Sequence, residues 1–336
     1  MKLYTAYKEL PEEILSKLDE ANVFFSKEYF DYLLNIGKNV VFFATEDYII
    51  PYEIKKKSIF SFGHYLSEPF CIGNNDSEEK RKAFINDAQK YIGDNKLSDW
   101  QESVGAYTMF DVYPDSSKRI GFGNLVVNLE NDTDTLLSNM TSKHRNMVRR
   151  AEKDGTKVKM GGMELLGDYC ELDKETWKRS GQPPVERAYY ENILKCMPDS
   201  SFIAISYFDG VPQSGMLCYY NKQMMYYMYG ASTDRPTIGA NNFLHWEMMK
   251  EMKKRGVKRY SFVGYRLIED IDPKLAGIQH FKKGFGGELI EGYLFKETFS
   301  PLKKKMFDIL YMLKNRKAVE PDAIDGEIDK WENINS

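Results

Sequence analysis

Apolar and polar positions recur twice along the chain in the same order. The apolar helix faces of residues 28–34 and 188–194 coincide at an offset of about 160 residues. Each is followed by two apolar strands joined by a tight turn, at 39–51 and at 201–212. The pattern therefore predicts that one structural unit occurs twice.

The agreement between the two halves continues beyond these strands. Aromatic strands ending in glycine, at 58–63 and 224–230, precede predicted helices at 77–92 and 241–255, and a further strand follows each helix. A repeat this long is unsuited to a solenoid and indicates two tandem copies of an α+β domain. Each copy is predicted to be a mixed, mostly antiparallel sheet flanked by helices. The predicted domains are 1–158 and 159–299, followed by a C-terminal segment at 300–336.

The C-terminal segment is predicted to begin with an amphipathic helix. Ser300 is expected to cap this helix, and Pro301 lies in its first turn. Its apolar face comprises Leu302, Met306, Ile309, Leu310 and Leu313. We expect the helix to pack back on the first domain, with peripheral contact to a membrane as the alternative.

The composition narrows the class of partner and the compartment. The 336 residues include 47 basic and 50 acidic side chains, a net charge of −3, so nothing predicts binding to DNA, and any polyanion site must be local. Four cysteines lie far apart without a C-x-x-C pair, as is typical of reduced thiols. No signal peptide or membrane-spanning run is apparent, and the prediction is a cytoplasmic protein without a transmembrane segment.

A basic segment, SKHRNMVRRAEKDGTKVK, begins at Ser142. As a helix it would turn Met147 and Ala151 inward. The candidate residues for binding tRNA or phosphate are Lys143, Arg145, Arg149 and Arg150. The alternative is a solvated helix face balanced by acidic neighbours.

A second candidate is RPTIGANNFLHWEMM, which contains Arg235, Gly239 and Asn242. Glycine and small polar residues before a helix leave amide groups available to an anion. The spacing loosely resembles the pyrophosphate-binding loop of GNAT acyltransferases, with one additional residue. We regard these three residues as candidates for binding substrate. The alternative is an ordinary helix start capped by Asn241 or Asn242.

Other catalytic chemistries find little support in the sequence. The four histidines occur singly, so neither a metal site nor a Cys/His pair is predicted, and His245 is interpreted as structural. No nucleophile elbow or Walker-type loop occurs. We expect no tightly bound cofactor.

The stretch GIQHFKKGFGGEL, at 277–289, is predicted to form a short helix, a glycine turn and a strand. Phe281 and Phe285 would anchor it. Lys282 and Lys283 diverge by about 100° on a helix, so at most one of them faces a cleft. A lysine fixed there could stabilise an oxyanion or bind a phosphate. The alternative is a docking helix with surface lysines.

Three stretches, in this order and spacing, closely resemble the Fem family of peptidoglycan interpeptide-bridge aminoacyltransferases: SKHRNMVRRAEKDG, MYGASTDRPTIGANNFLHWEMMKEMKKRGVKRYSFVG and GIQHFKKGFGGEL. The resemblance covers about 142–295 well and implies two GNAT-like domains in tandem. It also implies transfer of an aminoacyl group from aminoacyl-tRNA to an amine of a nucleotide-linked or lipid-linked muropeptide. Because the ester is already activated, the amine can attack directly without a covalent enzyme intermediate.

The resemblance also assigns roles to individual residues. The Phe-Lys of the late family motif falls on Phe281 and Lys282, which makes Lys282 the expected cation at the reacting carbonyl or a substrate phosphate. The family's residues for binding the muropeptide precursor look like Arg187, Tyr190 and Tyr229.

One departure from the family leaves the donor open. No long coiled-coil insertion, the tRNA arm of some members, occurs in this sequence. The co-substrate is therefore aminoacyl-tRNA or, alternatively, an acyl-CoA or acyl-carrier thioester used on an amino sugar or polysaccharide precursor. A non-catalytic nucleic-acid-binding or scaffold protein is the third hypothesis.

Overall fold

The computed structural model describes residues 1–105, 107–268, 271–316, 318–319 and 322–335. The helices are α1 (Glu12–Leu18), α2 (Lys27–Asn35), α3 (Glu78–Asp94), α4 (Thr133–Asn139), α5 (Ser142–Lys153), α6 (Leu166–Arg179), α7 (Arg187–Cys196), α8 (Ala240–Lys254), α9 (Pro273–Lys283), α10 (Pro301–Asn315) and α11 (Ala323–Asn335). Short 3-10 helices lie at Tyr7–Glu9, Val23–Phe25 and Met163–Leu165.

The strands are as follows: β1 (Lys2–Tyr4), β2 (Asn39–Ala44), β3 (Tyr48–Lys57), β4 (Phe60–Tyr65), β5 (Phe70–Cys71), β6 (Trp100–Gln101), β7 (Lys118–Asn128), β8 (Lys157–Gly161), β9 (Ser201–Phe208), β10 (Val211–Tyr220), β11 (Met224–Ser232), β12 (Arg259–Ser261), β13 (Tyr265–Arg266) and β14 (Glu288–Thr298). The strands and helices predicted for the two copies of the repeated unit are all present within a few residues of their expected bounds.

The chain divides into two compact units. Unit 1 comprises Met1–Gly123, Gly264–Ile271 and Ile290–Ser336, and unit 2 comprises Asn124–Val263 and Asp272–Leu289. This division differs from the predicted boundaries at 158 and 299, because the long strands β7 and β14 each contribute residues to both units. Helix α5, placed by the prediction in the first domain, lies in unit 2.

In unit 1 the strand order is β1-β2-β3-β4-β6-β14, with β5 beside β3 and β13 beside β7. Neighbouring strands are antiparallel except β4 and β6, which pair in parallel through Phe62–Gly63 and Trp100–Gln101. Helix α3 connects this parallel pair and buries Phe84, Ile85 and Ile92 in the core. Helices α10 and α11 belong to this unit.

Unit 2 repeats this arrangement. Its strand order is β7-β12-β11-β10-β9-β8, and the parallel pair is β11 with β12. Helix α8 connects the two strands and buries Phe243, Leu244 and Met249. A parallel pair joined by a crossover helix in each unit confirms the predicted α+β fold with two similar domains. Within the described part of the chain, no helix is long and apolar enough to cross a membrane.

Candidate active site

Strands β11 and β12 separate at the centre of unit 2. They pair only from Met224–Tyr226 to Arg259–Ser261, where β12 ends, while β11 continues to Ser232. On its other side, β11 carries a bulge opposite Leu217 and Cys218 of β10. A bulge bends its strand and increases the local twist. The parallel strands therefore diverge and leave an opening between them.

A cavity of about 490 Å³ occupies this opening. Its size is that of a typical small-molecule site. Strand β11, helix α8, the second residue after β12 and helix α9 supply its walls. The lining residues are Tyr227, Met228, Gly230, Asn241, Val263, Lys274, Gly277, Ile278, Phe281 and Lys282.

Helix α9 forms one wall of the cavity and is fixed at both ends. At its start the Asp272 side chain accepts hydrogen bonds from the backbone N–H groups of Lys274 (2.9 Å) and Leu275 (3.3 Å). At its end Phe285 is fully buried and contacts the ring of Phe281 at 5.2 Å. The helix starts four residues before the predicted position, and its aromatic anchors are the predicted ones.

Lys282 and Lys283 have different environments, a choice that the sequence left open. Lys282 lines the cavity, and its Nζ donates a hydrogen bond to the carbonyl oxygen of Val263 at 2.7 Å. Burial lowers the pKa of Lys282 to about 8. Lys283 is exposed to solvent. At neutral pH the cavity therefore contains an ammonium group that can lose its proton far more readily than a surface lysine.

Val263, which accepts that hydrogen bond, has an unusual backbone conformation. Its φ is 46°, a value that a β-branched residue rarely adopts. The Val263 N–H donates to the Ser261 Oγ at 3.1 Å, which helps to hold the turn after β12. Such conformations cost about 1–3 kcal/mol and cluster at functional sites. The strain directs a backbone carbonyl toward Lys282.

His245 lies in the core beneath the cavity, in keeping with its interpretation as a structural residue. It is fully buried, and its Nδ1 is 2.7 Å from the hydroxyl of Tyr260. Aromatic rings surround it, with Tyr227 at 4.7 Å and Phe281 at 5.6 Å between centroids. Burial, with a smaller effect of the Lys282 charge, lowers the pKa of His245 to about 3.

The low pKa of His245 makes the stability of the protein depend on pH. Below its ordinary pKa the unfolded chain takes up a proton at His245 that the folded protein takes up only near pH 3, so stability falls as the pH falls through this window. We expect His245→Phe to reduce the change in the free energy of unfolding with pH by up to about 1.4 kcal/mol per pH unit. Urea unfolding of both proteins between about pH 6 and pH 4 measures it. Equal slopes would contradict a buried neutral His245.

His144 supports the site, although nothing in its local sequence indicates this role. Its Nε2 lies 3.0 Å from the carbonyl oxygen of Phe281, and its Nδ1 lies 3.0 Å from the Thr141 Oγ1. A carbonyl only accepts, so Nε2 carries the proton and Nδ1 accepts from the threonine. A Cβ on Gly284 would lie 2.0 Å from this imidazole ring. His144 thus joins α5 to the end of α9, and a side chain at residue 284 would displace the imidazole ring.

A tyrosine cluster adjoins the strand that lines the cavity. The hydroxyl groups of Tyr189 and Tyr229 are 2.6 Å apart, and the Tyr190 ring lies 5.7 Å from that of Tyr229. The structure therefore brings together the predicted Tyr190 and Tyr229, with Tyr189 as an unpredicted third member. Tyr190 is fully buried, whereas Arg187 is exposed at the start of α7.

The residues of the stretch that resembles a pyrophosphate-binding loop lie in different environments. The Arg235 side chain is 95% exposed and lies 3.9 Å from the Asp234 carboxylate. Gly239 precedes α8 with a φ of 79°, and a Cβ there would lie 2.2 Å from the backbone carbonyl oxygen of Met147. The close approach of α8 to α5 accounts for this glycine. Asn241, the neighbour of Asn242, lines the cavity.

Of the candidate cations on helix α5, two interact with neighbouring groups of the protein and two are exposed. Arg145 donates from Nη1 to the carbonyl oxygens of Ser138, at 2.9 Å, and of Met140. Arg150 forms an ion pair with Asp154 within the helix. Lys143 and Arg149 are exposed. The described residues contain no group of three or more side chains suited to hold a metal ion.

Sequence comparisons relate the cavity-bearing part of the chain to acyltransferases. A family model described as an acetyltransferase (GNAT) domain matches residues 142–283. A Lipid II:glycine glycyltransferase of Staphylococcus haemolyticus is 22% identical over 50% of this chain and 56% of its own length. The aminoacyltransferase FemA of Staphylococcus epidermidis is 30% identical over 28% of this chain and 22% of its own. The chain spans about half the length of the first of these curated relatives.

Solved structures extend the likeness in fold to most of the chain. The crystal structure of FemX matches with a TM-score of 0.71 at 17% identity, covering 91% of this chain and all of the other. The structure of L-PGS from Bacillus licheniformis matches with a TM-score of 0.52 at 13% identity, covering 94% and 99%. Residues 142–283 thus resemble an N-acyltransferase domain of the GNAT class. The predicted resemblance to the Fem family is confirmed.

Proposed function

We propose that this protein transfers an aminoacyl group from aminoacyl-tRNA to an amine of a lipid-linked peptidoglycan precursor, in the cavity of unit 2. The observation that carries the proposal is the Lys282 ammonium group, half-buried in that cavity between Val263 and the aromatic anchors of α9. The names of the matched relatives, a Lipid II:glycine glycyltransferase and an aminoacyltransferase, support the substrate class.

The proposed reaction is a direct aminolysis. The acceptor nitrogen attacks the ester carbonyl carbon, and the negative charge that develops on the carbonyl oxygen is stabilised by the nearby Lys282 ammonium group. As the tetrahedral intermediate collapses, the bond from carbon to the ribose oxygen breaks. The proton lost by the acceptor nitrogen is transferred to that leaving oxygen. No covalent enzyme intermediate is needed, and the protein contributes alignment and a fixed positive charge.

The proposed binding roles follow from position in unit 2. Tyr229 directly precedes Gly230 in the cavity wall and would contact the muropeptide beside the exposed Arg187, while the buried Tyr190 would support the Tyr229 ring from within the protein. The exposed Lys143 and Arg149 on α5 are the proposed contacts to the tRNA backbone. Arg145 and Arg150 are engaged within the protein and would contribute less.

A thioester donor is the second candidate. The match of residues 142–283 to an acetyltransferase (GNAT) domain favours it, because acetyl groups are ordinarily carried by coenzyme A in that class. Asn241 and Asn242 at the start of α8 would then lie near the pyrophosphate, whereas Gly239 is already occupied by packing against α5.

The donor can be identified with purified protein. Labelled aminoacyl-tRNA and labelled acetyl-CoA would be offered side by side, with nucleotide-linked muropeptide, lipid-linked muropeptide and an amino sugar as acceptors. Transfer of label from tRNA to a muropeptide, abolished by ribonuclease, is the expected result. Transfer from the thioester alone would replace this proposal with the second candidate. Absence of transfer from both donors would favour a non-catalytic protein.

The low pKa of Lys282 predicts the alkaline limb of the pH profile. The required ammonium form is present below about pH 8 and is lost above it, so the rate should decline there. In Lys282→Arg the guanidinium stays charged, and the decline should move to higher pH. Because ionisation of the acceptor amine affects both proteins equally, the ratio of the two profiles isolates residue 282. A ratio independent of pH would argue against this role.

A further inference from the structure

Helix α10 contacts unit 1 through its less apolar face. The Phe307 ring lies 4.9 Å from Trp100 and 5.3 Å from Phe60, measured between ring centroids. Lys303 forms a 2.8 Å ion pair with the nearly buried carboxylate of Asp99. Its neighbour Lys304 pairs with Asp308 on the same helix. Aromatic stacking and ion pairs therefore hold α10 in a defined orientation.

The opposite face of α10 is apolar and faces solvent. Leu302 is 84% exposed and Leu313 is 69% exposed. Met306, Ile309 and Leu310 are also exposed and complete the stripe predicted from the sequence. The sequence led us to expect that this helix packs back on the first domain; it lies against unit 1, but Phe307 and Lys303 make the contact and the apolar stripe does not. An amphipathic helix ordinarily buries its apolar face, whereas α10 exposes its apolar face and packs through the other one.

The β3–β4 turn adds to the same surface. Ile59 at its tip is 63% exposed, and its carbonyl oxygen accepts a hydrogen bond from the Lys303 Nζ at 3.5 Å. Ser58 beside it has a φ of 58°, a left-handed conformation that forms the tight turn. The turn, which Lys303 joins to α10, thus adds a second element of unit 1 with an exposed apolar side chain. We call this surface the α10 patch.

Positive charge surrounds the α10 patch. Residues 301–316 contain five basic side chains. Lys303 pairs with Asp99 and Lys304 with Asp308, and the other three, Lys305, Lys314 and Arg316, are exposed. The turn contributes Lys56 and Lys57, both exposed. This local excess occurs in a chain whose net charge is −3. Exposed apolar residues bordered by lysines are complementary to a surface of acyl chains and anionic headgroups.

We propose that the α10 patch binds the surface of an anionic lipid bilayer, with α10 lying in the interface. Leu302, Ile309 and Leu313 enter the boundary between headgroups and acyl chains, while exposed lysines such as Lys305 contact anionic headgroups. The patch lies wholly in unit 1, so the proposal does not depend on the chemistry assigned to unit 2. It goes beyond the proposed function by assigning a membrane contact to the protein itself.

Vesicle binding of the full chain tests the α10 patch. The protein would be sedimented with vesicles of phosphatidylcholine alone or mixed with phosphatidylglycerol. We expect binding to the mixed vesicles that weakens with added salt. The double variant Leu310→Glu with Leu313→Glu should lower the partition coefficient at least about tenfold. Lys305→Glu should lower it on the mixed vesicles.

Leu34→Glu is the matched control. Leu34 lies on α2 and is 73% exposed, close to the 69% of Leu313, so this substitution makes one of the two Leu→Glu changes at a similarly exposed position outside the patch. It should leave binding unchanged. Equal loss in the control, or no binding by the unmodified protein, would overturn the proposal. A dimer seen by size-exclusion chromatography that the double variant dissociates would also overturn it, because a second copy would then cover the patch.

Discussion

Lys282→Met is expected to lower kcat by roughly 100- to 1,000-fold, the usual effect of removing one group that stabilises an oxyanion. Methionine keeps the unbranched stem that packs in the cavity and removes the ammonium group that donates to the carbonyl oxygen of Val263. Because the lost interaction is strongest in the transition state, KM should change much less than kcat. Steady-state kinetics with the donor that supports transfer measures kcat and KM.

Lys283→Met is the matched control for this experiment. It makes the same chemical change one residue later, on a side chain that faces solvent. Its kcat should stay within about twofold of the unmodified protein, since a surface lysine outside the cavity contributes little. Similar losses in both variants would point to a general effect of charge on substrate binding. An unchanged rate in Lys282→Met would remove Lys282 from the mechanism.

Gly239→Ala is expected to destabilise unit 2 by about 3 kcal/mol, the largest effect on stability among the glycines discussed. Two costs add here. The residue has a φ of 79°, and its Cβ would lie 2.2 Å from the carbonyl oxygen of Met147, a backbone atom that cannot rotate away. Helices α5 and α8 would have to move apart. Hydrogen exchange of the α5 and α8 amides measures the loss.

Gly210→Ala separates the two costs. Gly210 has the same φ of 79°, but a Cβ there would have no neighbour within 4 Å. Only the left-handed conformation is then penalised, at about 1 kcal/mol. A loss in Gly239→Ala no larger than in Gly210→Ala would mean that α5 and α8 are not packed as described. If Gly239 instead serves a donor, its substitution should reduce donor binding with little loss of stability.

Local patterns were sufficient to predict most elements of the fold. The alternation in β11 and the helical face of α8 come from short stretches whose periodicity is visible directly. The comparison of residues 28–34 with 188–194 added the duplication, which the parallel strand pair in each unit bears out. The start of α9 was placed too late, although Asp272 before Pro273 is a standard capping signal.

The site depended on contacts that no local pattern contains. His144 contacts the Phe281 carbonyl across 137 residues of sequence, so nothing near either residue indicates the pair. The choice between Lys282 and Lys283 depends on where the turn at Val263 directs its carbonyl. Gly239 resembled part of an anion-binding loop, yet the backbone of α5 lies against it. Contacts between segments that are distant in the sequence decide these cases, and the spacing of residues along the sequence does not.

The position of the donor in the protein can be determined directly. A non-hydrolysable aminoacyl-adenosine, with an amide in place of the ester, would be co-crystallised with the full chain. We expect its carbonyl oxygen to lie within hydrogen-bond distance, about 3 Å, of the Lys282 Nζ, in the opening between β11 and β12. Binding of the aminoacyl group elsewhere, with this cavity unoccupied, would contradict the assignment of the cavity as the site of transfer.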